Sequence, residues 1–214
     1  MRQRLKNDKK MKKLLFILSI AFVLMGCTES KVKSTATDYL QKQMKDPSSF
    51  KAENIQVILD TIPIFLNREL LSAAEEANEA LENYNRYKDR DSYLWYDEKQ
   101  KASSQMSSAL LSLGIAYNLA KAKKDKSYEY MVLINCSGKN SYGSTVSSKY
   151  IVIVDKDKTD KVIGEYHVNT DFLEKILAIY YTQEDEKAKL KENEFGKIDT
   201  DNMTPIEQFI FNEQ

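Results

Sequence analysis

The sequence predicts an α+β fold: a small antiparallel sheet of about four strands, with N- and C-terminal helices and an inserted long antiparallel helical hairpin. Residues 66–124 contain no proline and one glycine, and their apolar residues recur at helical spacing. Residues 128–168 contain three short apolar segments separated by polar turns, which is typical of a strand meander. Glycine (6) and proline (3) are scarce in 214 residues, which argues against a turn-rich barrel or sandwich.

Residues 1–26 are predicted to form a signal peptide. Basic residues up to Lys13 precede an apolar run from Leu14 to Gly26, which has the length of a signal h-region. This run is shorter than the roughly 20 residues that a comfortable transmembrane helix needs. Met11 begins a compact signal by itself, so starts at Met1 and at Met11 both fit the prediction.

The apolar run ends in Leu24-Met25-Gly26-Cys27, which resembles the lipobox of bacterial lipoproteins. The resemblance implies diacylation of the Cys27 thiol, cleavage before this residue and usually a third acyl chain on the new amino terminus. Two or three acyl chains give stable membrane anchoring, whereas one is marginal. The alternative is an ordinary secretory signal. In a Gram-negative host, Thr28 after the cysteine resembles the rule that sorts lipoproteins to the outer membrane.

Cleavage before Cys27 changes the charge of the chain. Residues 1–26 hold seven of the 32 basic residues and one of the 32 acidic ones, which leaves 25 basic and 31 acidic residues and a net charge of −6. Such a domain is repelled by nucleic acid and by anionic lipid headgroups. We therefore expect no nucleic-acid partner, and a membrane attachment through the acyl chains alone.

Residues 27–34 are predicted to be a short polar tether, and residues 35–182 a single α+β domain with the hairpin inserted at 66–124. The first helix is predicted from apolar residues at helical spacing, namely Val32, Ala36, Tyr39, Leu40 and Met44. It stops at Asp46-Pro47, because the residue before proline is disfavoured in the α region. The β-branched segment that follows predicts a strand at about 50–60.

The hairpin is predicted as two helices, roughly 66–89 and 93–124, joined at the polar residues Asp89-Arg90-Asp91-Ser92. A single continuous helix would leave two apolar stripes without a partner, whereas a hairpin lets them bury each other.

Three strands and two helices complete the chain. The strands are predicted at Tyr128–Cys136, Lys149–Val154 and Lys161–Val168, with turns at 137–144 and 155–160. A helix capped by Asp171 or Thr170 runs to Tyr180. Residues 183–214 are predicted as a charged segment and a short helix to Phe211, which opens with a capping box of Thr204 and Glu207 around Pro205.

Two stretches of the chain carry a resemblance. The first is the helix followed by Asp46-Pro47-Ser48-Ser49-Phe50, and the second is the turn Asn135 to Gly143 with its Asn140-Ser141-Tyr142-Gly143. Together they resemble a group of small, uncharacterised bacterial lipoproteins and phage-associated proteins. The resemblance spans about 35–60 and 128–155. It implies a small exported α+β module and no particular reaction. The hairpin and the longer spacing between Asn135 and Asn140 depart from the pattern.

No residue set predicts catalysis, a metal site or a cofactor. Cys136 is interpreted as a buried small residue, with a thiol nucleophile assisted by His167 as the alternative. One histidine without other ligands makes a poor metal site. Asp155 to Asp160 lacks the glycine and the glutamate of a calcium loop and is interpreted as a tight turn.

Two further segments are also interpreted structurally. Gly138-Lys139-Asn140 lacks most of the phosphate-loop pattern, so Asn140 to Gly143 is interpreted as a turn, with a ligand contact by Asn140 or Tyr142 as the alternative. The acidic face of the first hairpin helix is expected to meet water; it consists of Glu75, Glu76, Glu79 and Glu82.

Two classes of function follow from these observations. The first is a membrane-anchored, non-enzymatic binding or assembly module of the cell envelope, with an envelope protein as its partner. The second is an envelope-polymer hydrolase that uses carboxylates which the sequence does not locate. Within the first class, the candidate contact residues are Tyr93, Trp95 and Tyr96, because consecutive large side chains on a helix cannot all face one neighbour. The alternative is that these side chains seal the open end of the hairpin core.

Overall fold

The structure is a computed structural model, and it describes residues 27–90, 95–122, 128–184 and 203–211. Within these ranges the chain is an α+β fold of five α-helices and one four-stranded antiparallel sheet, which confirms the predicted fold class. Two short 3₁₀ turns, Pro47–Ser49 and Ile64–Leu66, stand on either side of β1. In chain order the elements are α1 (27–43), β1 (Lys51–Thr61), α2 (Arg68–Lys88), α3 (Tyr96–Ala122), β2 (Tyr128–Lys139), β3 (Thr145–Val154), β4 (Val162–Val168), α4 (Thr170–Glu184) and α5 (Pro205–Phe211).

The backbone divides into two compact units. The first has the bounds Met1–Asp60 and Glu129–Glu165, and the second has the bounds Thr61–Tyr128 and Tyr166–Gln214. The hairpin α2–α3 therefore lies between β1 and β2 in the sequence, as expected of an insertion. The predicted boundaries of a single domain at 35–182 stay a prediction.

The sheet has the strand order β1-β2-β3-β4. β2 and β3 are antiparallel, and their register places Val132 opposite Val152 and Cys136 opposite Ser148. Because side chains alternate along a strand, these even-numbered residues share one face of the sheet. On the other face, the central side chains of both strands are also buried: Met131, Leu133, Ile151 and Ile153.

α1 covers the even-numbered face of the sheet. Its stripe Val32, Ala36 and Leu40 is 0–2% exposed and packs in one cluster with the side chains of β2 and β3. This packing corrects the prediction of a tether at 27–34, since these residues are helical in the structure. The physical reason is that the apolar stripe already begins at Val32, so its burial stabilises helix on both sides of that residue.

The turn between β2 and β3 is shorter than predicted. Ser137, Gly138 and Lys139 were expected in the turn, but they continue β2 and pair with Ser147, Val146 and Thr145. The turn itself is closed by the Asn140 side chain, whose oxygen accepts the backbone N–H groups of Tyr142 and Ser144 at 2.9 and 3.0 Å. Gly143 supplies the positive φ of 79° that this turn needs.

In the second unit, α2 and α3 pack against each other as the predicted hairpin, and α4 packs on α2. α2 starts where the Asn67 side chain accepts the Leu70 N–H at 2.9 Å. The hairpin core is built from small and apolar side chains of both helices: Leu70, Leu71, Ala73, Ala74 and Ala77 from α2, and Ala102, Leu113 and Ala120 from α3. The close fit of the alanines lets the two helices approach each other.

The two C-terminal helices begin with side-chain caps. Asn169, rather than the predicted Asp171 or Thr170, caps α4, and its oxygen accepts the Phe172 N–H at 2.9 Å. The strand ends one residue before Asn169, so Thr170 is already helical. The capping box of α5 is confirmed, because Glu207 accepts the Thr204 N–H at 2.7 Å and Thr204 accepts the Glu207 N–H at 3.4 Å. The predicted charged segment lies mostly outside the described residues.

Among the helices that the structure describes, none combines the length and the apolar character that a bilayer-spanning segment requires.

Candidate partner-binding site

The candidate site lies where α2 ends and α3 begins. Trp95 precedes α3, and its ring centroid lies 5.9 Å from that of Tyr87 in the last turn of α2, with the two planes tilted by 34°. The guanidinium carbon of Arg90 lies 4.6 Å from the centroid of Trp95 and 5.4 Å from that of Tyr87. Tyr87, Arg90, Trp95 and the neighbouring Tyr96 are called the tip cluster below.

Exposure within the tip cluster is high for such large rings. Trp95 is 37% exposed and Tyr96 is 61% exposed. Tyr93, the third predicted contact residue, lies outside the described residues. One part of the Trp95 ring packs on the end of the hairpin, and another part faces solvent. The ring can therefore both cover the hairpin core and contact a partner.

The contacts of Arg90 give the tip cluster its chemistry. A guanidinium over an aromatic face is attracted by the ring quadrupole, at about 0.5–1 kcal/mol for an exposed pair. Arg90 and Tyr87 were not predicted as site residues. The signal in the sequence was the presence of Arg90 in the break itself, five residues before the only tryptophan, but this spacing does not predict that the two side chains touch.

A shallow groove of about 530 Å³ lies between α2 and α3. It is lined by Glu76, Glu79, Ala80, Asn83, Gln105, Ser108, Ala109 and Ser112. Across it, the Asn83 amide donates to the Gln105 side-chain oxygen at 3.3 Å. The acidic face predicted on α2 is therefore divided, because Glu76 and Glu79 reach this groove whereas Glu75 forms an ion pair with Lys175 at 2.9 Å.

Cys27 is the first residue that the structure describes; it is helical, and its side chain is exposed. The rest of the lipobox and the whole predicted signal peptide lie outside the described residues. An exposed thiol is sterically open to modification.

Cys136 has the opposite surroundings. It is 1% exposed, and its sulfur donates to the Ser148 carbonyl at 3.6 Å, a long contact. Burial, and to a smaller extent the charge of Glu53, raises the pKa of the Cys136 thiol to about 11. The thiolate is the nucleophilic form of cysteine, so this thiol is held in its unreactive form at neutral pH. His167, the proposed helper in the nucleophile alternative, is exposed on β4.

The loops at Asp155 and Asn140, for which ligand binding was an alternative interpretation of the sequence, are turns in the structure. The Asp155 carboxylate accepts the backbone N–H groups of Asp157 and Lys158 at 2.9 and 3.0 Å, and these bonds hold the pKa of Asp155 below its usual range. The Asn140 side chain is occupied by the turn that it closes, and Tyr142 beside it is 91% exposed. Within the described ranges, no three His, Cys, Asp or Glu side chains come together in a metal-binding arrangement.

The two stretches that carry the family resemblance meet in the first unit. The Ser49 hydroxyl, two residues after Pro47, accepts the Lys139 N–H at 2.9 Å. Met44 lies over Gly138 so closely that a Cβ on this glycine would be 2.9 Å from the methionine sulfur. These residues therefore join the end of α1 to the end of β2, which is a structural role.

Comparison of the chain with models of known protein families, with curated proteins and with solved structures gives no match.

Proposed function

We propose that this chain is a bacterial lipoprotein, held at the membrane by acyl chains on Cys27, and that it works as a non-enzymatic binding or assembly module of the cell envelope. The observation that supports this proposal most is the tip cluster. Trp95 and Tyr96 are 37% and 61% exposed at the end of the hairpin. Grouped, exposed aromatic rings are typical of interaction sites, where tryptophan and tyrosine supply much of the binding energy.

The packing within the tip cluster supports binding in a second way. Arg90 and Tyr87 lie against the Trp95 ring at 4.6 and 5.9 Å, and these contacts favour one orientation of the ring. A side chain that is already ordered loses less conformational entropy when a partner binds it, and this ordering costs about 0.5–1.5 kcal/mol for a mobile side chain. The ring is therefore prepared for contact before the partner arrives.

The membrane anchor is tested by replacing its attachment residue. We expect Cys27→Ala to abolish incorporation of a fatty-acid analogue and to release the protein or leave it as an uncleaved precursor. Cys136→Ala is the matched control, since it removes the other thiol of the chain. Equal labelling of wild type and Cys27→Ala would refute the anchor.

The partner contact is tested in intact cells with the full chain. Wild type, Trp95→Ala, Trp95→Phe and Tyr142→Ala are compared for the proteins that a short cross-linker joins to them. We expect Trp95→Ala to reduce the capture of one specific envelope protein at least tenfold, because a hot-spot ring contributes about 2 kcal/mol or more. Trp95→Phe keeps a ring on Arg90 and should retain part of the capture.

Tyr142→Ala is the matched control, because Tyr142 is an exposed aromatic residue, 91% accessible, on a turn of the first unit. It should capture the same protein as wild type. Trp95 makes only peripheral contacts, so Trp95→Ala should lower the melting temperature by no more than about 4 °C. A much larger drop, or unchanged capture by Trp95→Ala, would show that the ring serves the hairpin core and would refute this contact.

A further inference from the structure

Helix α3 is apolar on two opposite sides. Between Ala102 and Ala120 its sequence contains no charged residue. One side faces α2 and is buried through Ala102, Leu113 and Ala120. A helix at the surface of a protein is normally charged or polar on its outer side. α2, the other helix of the hairpin, follows this rule with the charged residues Glu82 and Arg86, which are exposed.

The outer side of α3 carries a row of large apolar side chains. Leu111, Ile115 and Leu119 are 67%, 53% and 50% exposed. Their spacing of four residues places them along one face, because each residue turns the helix by about 100°. Ile115 follows the buried Leu113 by two residues, so this row points away from the side that packs on α2. The three residues are called the outer row below.

We infer that the outer row is a self-association surface, on which α3 of a second copy of this chain lies antiparallel with a two-fold axis beside Ile115. The inference is independent of the lipid anchor and of the tip cluster.

The pattern of side-chain sizes along α3 fits a second copy. In an antiparallel pair centred on Ile115, this residue meets its own counterpart, and Leu111 meets Leu119 of the second copy. One turn further out, Ser108 meets Ala122. Large side chains therefore oppose large ones and small oppose small, which is what an isologous interface requires.

The absence of charge within the row favours the same occupant. Nucleic acid, anionic lipid and charged peptides are attracted by lysine and arginine, and the segment from Ala102 to Ala120 has none. A second α3 presents an equally uncharged face, so neither copy leaves a charge without a partner in the interface.

The available area fits a reversible dimer. The three side chains expose on the order of 300 Å² per copy, which is the size of the largest apolar patch on an ordinary monomer. Two copies bury roughly 600 Å² through these three side chains, which is below the about 1,200 Å² of stable specific interfaces and indicates a weak, reversible contact. We expect a dissociation constant in the micromolar range.

Disulfide trapping in intact cells tests the contact and its direction on the full chain. Ile115→Cys should give a covalent dimer on a non-reducing gel, because the two-fold axis brings the two thiols face to face. Leu110→Cys is the matched control: it lies on the same helix, is 47% exposed, and points about 140° away from Ile115. We expect at least ten times more dimer from Ile115→Cys than from Leu110→Cys or wild type.

The direction is read from a mixed pair. In an antiparallel dimer, Leu111→Cys and Leu119→Cys cross-link when they are expressed together, and each gives little dimer alone. Strong dimer formation by Leu111→Cys alone would indicate parallel helices and overturn the arrangement.

A charge in the outer row gives a second, non-covalent measurement. Because Ile115 is exposed, Ile115→Glu should fold normally but raise the dimer dissociation constant at least tenfold in sedimentation of the detergent-solubilised full chain, whereas Leu110→Glu should not. The proposed self-association surface is refuted if wild type remains monomeric at a protein concentration 100 times the expected micromolar dissociation constant. It is also overturned if Ile115→Cys becomes joined to a protein of different mass, since the row would then serve another partner.

Discussion

Replacing Cys136 by serine exchanges a sulfur for a hydroxyl at a site that is 1% exposed. The surrounding cluster is apolar, with Ile134 and Val152 among its buried members. The polar atom in reach is the Ser148 carbonyl, 3.6 Å from the sulfur. A C–O bond is shorter than a C–S bond, so the serine oxygen stays too far from this carbonyl for a normal hydrogen bond.

The expected cost follows from these distances. A buried hydroxyl without a partner lowers the free energy of unfolding by roughly 1–3 kcal/mol. Cys136→Ala removes the sulfur without adding a polar group, so it should cost less than Cys136→Ser. Urea unfolding of the full chain in detergent measures both variants against wild type, with an unchanged m-value as the sign that the unfolded state is comparable.

The raised pKa of Cys136 adds a dependence on pH. Burial raises this pKa from its ordinary value of 9.0 to about 11, so the unfolded chain loses the thiol proton first. The protonated Cys136 thiol therefore makes its full contribution to the free energy of unfolding below pH 9. This contribution, on the order of 2 kcal/mol in total, is lost as the pH rises to about 11. Cys136→Ser should lose less stability than wild type across this interval. Burial also raises the pKa values of Tyr150, Tyr166 and Tyr180, so both proteins become less stable at high pH.

Thiol chemistry provides the refutation. In the native chain, Cys136 should react with a bulky disulfide reagent only as fast as the protein opens, and at the full rate in urea. The Cys27→Ala variant isolates this thiol. Rapid reaction of the folded variant at neutral pH, or a Cys136→Ser variant as stable as wild type, would show that the site is open and would contradict the reasoning.

Gly114→Ala should raise the free energy of unfolding by about 0.5–1 kcal/mol, because a Cβ there meets nothing within 4 Å and glycine is costly inside a helix. Gly138→Ala should raise it by less than Gly114→Ala does, since the gain of alanine over glycine within β2 is offset by the shift of the flexible Met44 side chain, whose sulfur would lie 2.9 Å from the new Cβ. Asn67→Ala should lower it by about 1 kcal/mol through loss of the cap on Leu70. Urea midpoints measure all three, and a destabilised Gly114→Ala or a neutral Asn67→Ala would contradict the corresponding argument.

The sequence was informative where the determining contacts are local. The hairpin helices and the capping box at Thr204 and Glu207 follow from residues at most four positions apart, and the structure confirms them. Ser137 and Gly138 are poor strand formers, and only their pairing with β3 extends β2 through them. A register of this kind depends on residues about ten positions away, which composition does not reveal.

The same distinction applies to the candidate site. Consecutive large side chains in the sequence indicate that some of Trp95 and Tyr96 must face solvent, and the structure gives their exposed fractions. The position of Arg90 over the Trp95 ring depends on the path of the chain between two helices, so spacing alone does not predict it. The functional role of these residues stays a proposal until the capture experiment is done.

The position of the hairpin in the chain has a consequence for folding. β1 ends at Thr61 and its neighbour in the sheet, β2, begins at Tyr128, so 66 residues separate two adjacent strands. Closing a flexible loop of this length costs about 2.5 kcal/mol more than closing a four-residue turn. If α2 and α3 pair first, the loop shortens and most of this cost disappears. The hairpin would then act as an internal folding nucleus, and substitutions in its core should slow refolding of the sheet, whereas changes on α1 should mainly speed unfolding.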